Sequence, residues 1–240
     1  MTALGIVQGA SRKIGLARPD QLFAGTTDTL YELQEYLNDA AAMVAFDCGH
    51  DWTKLKTLGT LTGDGASLEF DMPTDYRRML KKAALWPSAT PYSPYTHYPD
   101  TDDWLGMLSQ AFPPLTGAWT LIGEQIHIRV GGSTSALETG STAQFYYLTS
   151  KFAKDAAGTA KAAFSADDDT FRLDERLLKL ALIYKWKQGH LQDYAEELSD
   201  YENALAERIG ADKGSNVFAV GGRRATAFDV GYAYPGVLGP

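Results

Sequence analysis

The chain has 240 residues, 45% hydrophobic and 22% charged, a balance that suits one globular domain with embellishments and a core that needs no covalent staples. Its net charge is −8 and Cys48 is its only cysteine, which excludes an internal disulfide and a multi-cysteine metal site and weighs against gripping nucleic acid by charge. No apolar run approaches the roughly 20 residues of a membrane span, and Arg12 and Lys13 precede no long apolar stretch of the secretory kind, so a protein made and assembled in a cytoplasm is expected.

Residues 1–25 read as an arm, because Gly5, Gly9, Gly15, Pro19 and Gly25 interrupt every periodic pattern. A first helix follows. Thr29 and Glu32 have capping-box spacing, and Leu30, Leu33, Leu37, Ala41 and Val44 form one apolar stripe that Gly49 ends. Cys48, at its end, reads as a small buried hydrophobe, and Trp52 as a core anchor.

Sequence of β character comes next. Leu55, Leu58 and Leu61 lead to the turn Gly63-Asp64-Gly65, and Leu68, Phe70 and Met72 then alternate with polar residues until Pro73. The chain continues through Tyr76 to Leu80, and Ala83 to Trp86 reads as a short apolar strand. Residues 87–103, rich in Pro and Tyr, read as a loop, with Asp102 or Asp103 capping a short helix that carries Trp104, Leu105 and Leu108 until Pro113-Pro114. Trp119 to Ile122, the turn Gly123-Glu124 and the alternating Ile126, Ile128 and Val130 predict a hairpin. Gly131 to Thr142 is a Gly/Ser/Thr loop, Gln144 to Thr149 an aromatic strand, and Lys151 to Phe164 a second loop.

A helical pair is the strongest local signal. Asp174 and Glu175 open one helix and Lys185 and Lys187 close it, the charge order that suits the helix dipole. Leu173, Leu177, Leu180, Ala181 and Tyr184 form one stripe, and Leu178, Leu182, Ile183 and Trp186 a second, so this helix is expected to be buried on several sides. After Gly189, the residues Leu191, Tyr194, Leu198, Tyr201, Leu205 and Ile209 give a surface helix that covers the first. Residues 211–240 are a glycine-rich tail that still holds Val217, Phe218, Val220, Phe228, Tyr232, Tyr234 and Leu238. A purely solvated tail is poorer in large apolar residues, so this one is expected to dock.

Catalytic signatures are absent from the sequence: no phosphate loop, no G-x-G-x-x-G, no H-E-x-x-H helix and no G-x-S-x-G elbow. His50, His97, His127 and His190 are scattered, and His127 is expected on the polar side of its strand. The run Asp167-Asp168-Asp169 lacks the spacing and glycine of a calcium loop and reads as an acidic helix approach. No cofactor and no metal is expected.

The order of the pieces carries a resemblance. The first helix ends at Gly49-His50-Asp51-Trp52. A strand element runs Phe70-Asp71-Met72-Pro73-Thr74-Asp75-Tyr76-Arg77-Arg78, the hairpin Leu121-Ile122-Gly123-Glu124-Gln125-Ile126-His127-Ile128, and the aromatic strand Phe145-Tyr146-Tyr147-Leu148-Thr149-Ser150. The most specific part is Leu173-Asp174-Glu175-Arg176-Leu177-Leu178, running on to Ile183-Tyr184-Lys185-Trp186-Lys187 and then from Asp193-Tyr194-Ala195 to Tyr201-Glu202-Asn203-Ala204-Leu205. Over roughly residues 25–210 this resembles the head-to-tail adaptor (head completion, connector) proteins of tailed bacteriophages. Asp174 stands where the family pattern suggests a helix-opening proline, and serves that end equally well.

The resemblance implies a helical core with an inserted β-domain; joined to the reading of the residues this gives an α+β fold, a mainly helical core from the long N-terminal helix and the C-terminal helical hairpin, an inserted antiparallel β-domain and an extended C-terminal tail. The corresponding organisation is an arm over 1–25, an adaptor domain over 26–210 with the β-rich insertion at roughly 52–150, and a docking tail over 211–240. It also implies a structural virion protein, not an enzyme, at the head-tail neck. Such a protein forms a homo-oligomeric ring, usually twelve-fold, between the portal protein and a tail nozzle, tail-terminator or other tail protein, with no membrane partner. Double-stranded DNA passes through without sequence-specific binding, and twelve copies at −8 each carry about −96, a field that discourages DNA from sticking.

Phe218, Arg223, Arg224, Phe228, Tyr232 and Tyr234 are the portal-interface candidates, the arginines because guanidinium suits desolvated ion pairs. Tyr92, Tyr95 and Tyr98, with the loop Gly131 to Thr142, are candidates for the tail side. Lys185, Trp186, Lys187 and Tyr194 lie in the family-like hairpin, where core packing is their plainer role. Two other readings stand beside the adaptor: another neck or tail component, such as a nozzle or tail-completion protein, and a virion-associated cell-wall hydrolase, whose only support is the abundance of acids.

Overall fold

The computed structural model describes residues 1–81, 83–88, 93–109, 116–131 and 136–213. Within them the fold is α+β, with five α-helices. These are α1 (Ala3–Ser11), α2 (Asp28–Ala42), α3 (Thr101–Leu108), α4 (Glu175–Gly189) and α5 (Ala195–Lys213). The strands are β1 (Lys56–Thr62), β2 (Glu69–Asp71), β3 (Tyr76–Met79), β4 (Trp86–Pro87), β5 (Thr96–His97), β6 (Ala118–Ile122), β7 (Gln125–Arg129), β8 (Thr142–Thr149), β9 (Ala153–Lys154), β10 (Ala160–Lys161) and β11 (Thr170–Phe171). None of the described helices is long and apolar enough to cross a membrane.

The first hydrophobic cluster gathers around α4. It takes Ile6, Val7 and Ala10 from α1, Leu33, Leu37 and Ala41 from α2, and Leu177, Leu178, Ala181, Leu182 and Trp186 from α4 itself. The α4 helix is buried on more than one side, as its two stripes predict. Its N-terminus is capped by Asp174, whose carboxylate accepts from the backbone N–H of Leu177 at 2.8 Å. The α5 helix covers it through Tyr201 and Ala204, with Tyr201 stacked on Tyr184 at 6.2 Å between ring centroids. Burial pushes the Tyr201 phenol up to about 12.

Residues 1–25 do not form the arm expected from their glycines. Residues 3–11 are helical, and Ala3, Ile6, Val7 and Ala10 are fully buried at helical spacing. The glycines serve the packing: a methyl group on Gly9 would stand 3.1 Å from the Lys179 ammonium of α4. The start of α1 is satisfied twice over. Thr2 caps the N–H of Gly5, and the N–H groups of Ala3 and Leu4 reach the carbonyls of Asp169 and Asp167.

Other boundaries move for local reasons. The cap residue of α2 is Thr27 and makes no side-chain bond, so Thr29 and Glu32 lie inside the helix and form no capping box. The helix ends in a π-helical turn over Met43–Asp47, and Cys48 is half-buried with its thiol 3.3 Å from the Val44 carbonyl. Trp52 is buried and its indole N–H donates to the Val44 carbonyl at 2.9 Å. Asp100, rather than Asp102 or Asp103, caps α3 and accepts from both of their N–H groups. Between Ala83 and Trp86 only Trp86 is in a strand. Leu191 is 95% exposed at φ +53°, in the turn before α5 and off its apolar stripe. The α5 helix runs to Lys213, past the expected start of the tail.

Two four-stranded sheets build the β-rich part. One has the order β1-β8-β3 with β4 also paired to β8, all antiparallel; the other has the order β2-β7-β6-β5, antiparallel except for β5 beside β6. The hairpin β6–β7 turns at Gly123-Glu124 as predicted, with Ile122 opposite Gln125. Leu61, Phe145 and Tyr147 from the first sheet meet Trp119, Ile126 and Ile128 from the second in a separate core. His127 is half-buried between the buried Ile126 and Ile128, 3.5 Å from the Glu69 carboxylate.

Strand β8 joins the two cores. Ala143, Phe145 and Tyr147 enter the β core, while Leu148 belongs to the cluster around α4. The stretch Lys151 to Phe164 is not an open loop: β9 and β10 fall within it, β11 completes a third small sheet, and Phe152 packs edge to face on both Phe164 and Phe171 in the helical core.

Candidate docking surfaces

The C-terminal end of α5 is the launching point of residues 214–240, and it is held in a fixed place. The corner Gly49–Thr53 follows the end of the α2 region, with Gly49 at φ +66°, a conformation that favours glycine. The Asp212 carboxylate accepts from Thr53 twice, from its N–H at 3.0 Å and its hydroxyl at 2.5 Å, and lies 2.8 Å from His50 Nε2. Burial opposes the charge on Asp212, but the bonds from Thr53 and His50 outweigh it and hold the carboxyl below the usual range. One turn earlier Arg208 pairs with Asp174, the cap of α4. A cleft bounded by Trp52, Lys54, Leu173, Arg208 and Asp212 lies beside this exit.

The same corner also touches the β-rich part. Asp51 pairs with Arg78 at 2.6 Å and accepts from the N–H of Lys81 at 3.1 Å. Its burial raises the carboxyl, yet Lys81 and Arg78 lower it more, so the net displacement is downward.

An apolar surface lies next to that contact. Leu58 and Tyr146 face each other across β1 and β8, and Trp86 pairs with Gln144 on the other side of β8. Leu58 is 47% exposed, Trp86 41% and Tyr146 54%. They line a groove of about 280 Å³ whose rim includes Leu80 and Ala83. The spacing Leu58, Leu61 explains the exposure: residues three apart on a strand point to opposite faces, so Leu58 turns outward while Leu61 turns in. Two further exposed pairs, Leu105 with Leu108 on α3 and Leu121 with Ile122 at the β6–β7 tip, lie in the same part of the chain.

The sequence-derived candidates are placed as follows. Phe218, Arg223, Arg224, Phe228, Tyr232 and Tyr234 lie outside the described residues, as does Tyr92. Tyr95 is buried in the β core, with its ring against Gly117. It therefore shapes its loop from inside rather than presenting its own ring. Tyr98 is half-buried against Trp104 of α3, 6.1 Å between centroids. Of Gly131 to Thr142, residues 132–135 lie outside the described residues, and Leu137 is buried in the β core.

In the helical hairpin, Trp186 is buried between Tyr36 and His190, Lys187 pairs with Glu197, and Tyr194 packs on Tyr184. Trp186 is thus a core residue, while Lys187 and Tyr194 are half-buried in contacts within the hairpin. The acidic run is also structural. Asp167 accepts from the N–H groups of Leu22 and Phe23, and the fully buried Asp169 accepts from Lys161, Ser165 and Ala166. Among the described residues no group of three or more His, Cys, Asp or Glu is placed to hold a metal ion.

Sequence reasoning missed the corner at His50–Thr53 with Asp212, because its partners are some 160 positions apart and no local spacing links them. The groove left one local trace, the odd parity of Leu58.

A search among characterised proteins finds no match to the chain. The family described as SU10 adaptor protein matches residues 1–225, a span that reaches past the resemblance at both ends and takes in α1 and the beginning of the tail. With nearly the whole chain covered, the protein belongs to the SU10 adaptor protein family, a family of phage head-to-tail adaptors.

Proposed function

We propose that this adaptor docks beneath the portal, as a ring of twelve copies around the DNA channel, and that its C-terminal tail makes the portal contact. Membership of the phage adaptor family supports a structural role at the virion neck. The observation that carries the finer reading is the fixed exit of the tail. Asp212 ties the last turn of α5 to His50 and Thr53, so each copy would send out its tail from a defined point. A segment with Phe218, Phe228, Tyr232 and Tyr234 can then gain apolar burial on a partner, and Arg223 and Arg224 can pair with its acids.

In this reading the ring seals the filled head and joins it to a tail nozzle, terminator or other tail protein. The loops near Tyr92, Tyr95 and Tyr98 face that lower partner, and the acidic total keeps DNA moving through the channel. The particle assembles in the host bacterial cytoplasm.

Native mass measurement of the chain mixed with the portal protein of its own particle tests this. One copy per portal subunit is expected. Absence of association from low to high salt would place the protein lower in the tail, as a nozzle or tail-completion component. A chain lacking residues 215–240 is expected to keep its circular dichroism and lose the portal. Retained binding would overturn the role given to the tail.

A further inference from the structure

We propose that the apolar groove on the outer face of β8 is the seat of the chain's own segment 217–220, so that the proximal tail lies on the β-rich part and only the distal tail is free to meet a partner. This revises the portal reading at one residue: Phe218 leaves the portal contact, which Arg223, Arg224, Phe228, Tyr232 and Tyr234 keep.

The groove needs an apolar occupant. Leu58, Trp86 and Tyr146 are exposed side by side on one face of a sheet, with Leu80, Ala83 and Ala84 as the near wall. An exposed cluster of this kind marks a binding surface more often than single exposed leucines do. The segment Val217-Phe218-Ala219-Val220 offers three large apolar side chains within four residues.

Its tether brings it there. Asp212 is bonded to His50 and Thr53, Asp51 between them is bonded to Arg78 and to the N–H of Lys81, and Leu80 and Ala83 flank Lys81 on the groove rim. The exit and the groove are thus two sides of one hydrogen-bonded corner. Phe218 lies five residues past Lys213, the end of α5, and reaches up to about 17 Å when extended. It sets out from a corner where the contact to the exit, at His50, and the contact to the groove rim, at Asp51, fall on adjacent residues.

The occupant belongs to the same molecule rather than a second copy. A tether of only a few residues gives an effective concentration on the order of millimolar, far above the micromolar level of a second copy in solution. Extended, the segment can lay alternate side chains against the exposed face of the sheet.

The test places two cysteines in the full chain after Cys48→Ser removes the native one: Gln144→Cys, whose side chain is exposed in the groove lining, and Val220→Cys in the tail. Under mild oxidation at micromolar concentration an intramolecular disulfide is expected. It should form at least tenfold faster than in the same pair carrying Phe218→Asp, which keeps the tether and removes the main apolar contact. Equal rates would overturn the seat, and a predominance of covalent dimers would give the groove to a second copy instead. A second measurement leaves the core untouched: Phe218→Asp in the otherwise natural chain should raise the binding of an apolar fluorescent dye about threefold. An unchanged dye signal would also overturn the proposal.

Discussion

The helical and β-rich parts of this protein handle their surfaces in opposite ways. Around α4 the large exposed apolar residues stand singly: Met1, Tyr31 and Leu191. In the β-rich part they stand in groups, Leu58 with Trp86 and Tyr146, Leu105 with Leu108, and Leu121 with Ile122. The polar clasps are distributed the other way. Buried or half-buried carboxylates at Asp167, Asp169 and Asp212 tie distant segments together around the helices, whereas Asp75 is the main such clasp in the β-rich part, accepting from Tyr147 and Thr149 at 2.7 Å each. One part is closed and cross-braced; the other leaves apolar faces exposed. For an adaptor that must hold its shape and also make contacts, this separates the two requirements along the chain.

The largest expected break in that contrast is Asp169→Ala. It removes a fully buried carboxylate and leaves the Lys161 ammonium, itself mostly buried, and the N–H groups of Ser165 and Ala166 without their acceptor. A loss of about 3 kcal/mol is expected, read as a fall of roughly 10 °C in Tm. A fall of only a degree or two would mean that the helical part is not braced through this residue.

Gly63→Ala is the corresponding break on the β side. An added methyl would stand 2.4 Å from the Glu138 carbonyl oxygen and 2.5 Å from that of Leu137, with no flexible side chain to give way. A cost of about 2 kcal/mol is expected from denaturant unfolding. An unchanged midpoint would show that the strand ends are looser than their geometry.

Acid sharpens the comparison of the clasps. Burial raises the carboxyls of Asp75 and Asp169, but the hydrogen bonds they accept, and Lys161 beside Asp169, outweigh it, so both sit below 3.8 in the folded chain. The unfolded chain therefore takes up these protons first as pH falls. The stabilisation is complete above the unfolded value and is lost as pH drops through the lower folded one. Asp75→Asn and Asp169→Asn should each make stability fall less steeply over that acid range. A slope equal to that of the natural chain in both variants would remove these carboxylates from the account.

Smaller effects complete the contrast. Leu191→Gly relieves a left-handed backbone at an exposed site and should gain about 1 kcal/mol, seen as a Tm a few degrees higher. Leu105→Ser should change stability by less than about 0.5 kcal/mol, because its side chain already lies in water. A larger loss would mean that this face is part of the core.

By itself the sequence determined the α+β class, the buried α4 with its Asp174 cap, the β6–β7 hairpin, the aromatic strand β8 and the anchor Trp52. These signals are local: apolar spacing of 3.6 or 2, a turn dipeptide, an acid at a helix start. The tertiary structure alone decided the rest. Ile6, Val7 and Ala10 already have helical spacing, but Gly5 and Gly9 spoke against a helix until α4 was seen packed beside α1, with Lys179 against Gly9. Asp167 and Asp169 look like a solvated acidic run until their distant donors are known. Leu58 and Leu61 are alike in composition, and the pairing of β1 with β8 decides which of them faces outward. Hydrogen bonds and close approaches between residues over a hundred positions apart leave no periodic trace in a chain, because each depends on where two segments end up rather than on how either is spaced.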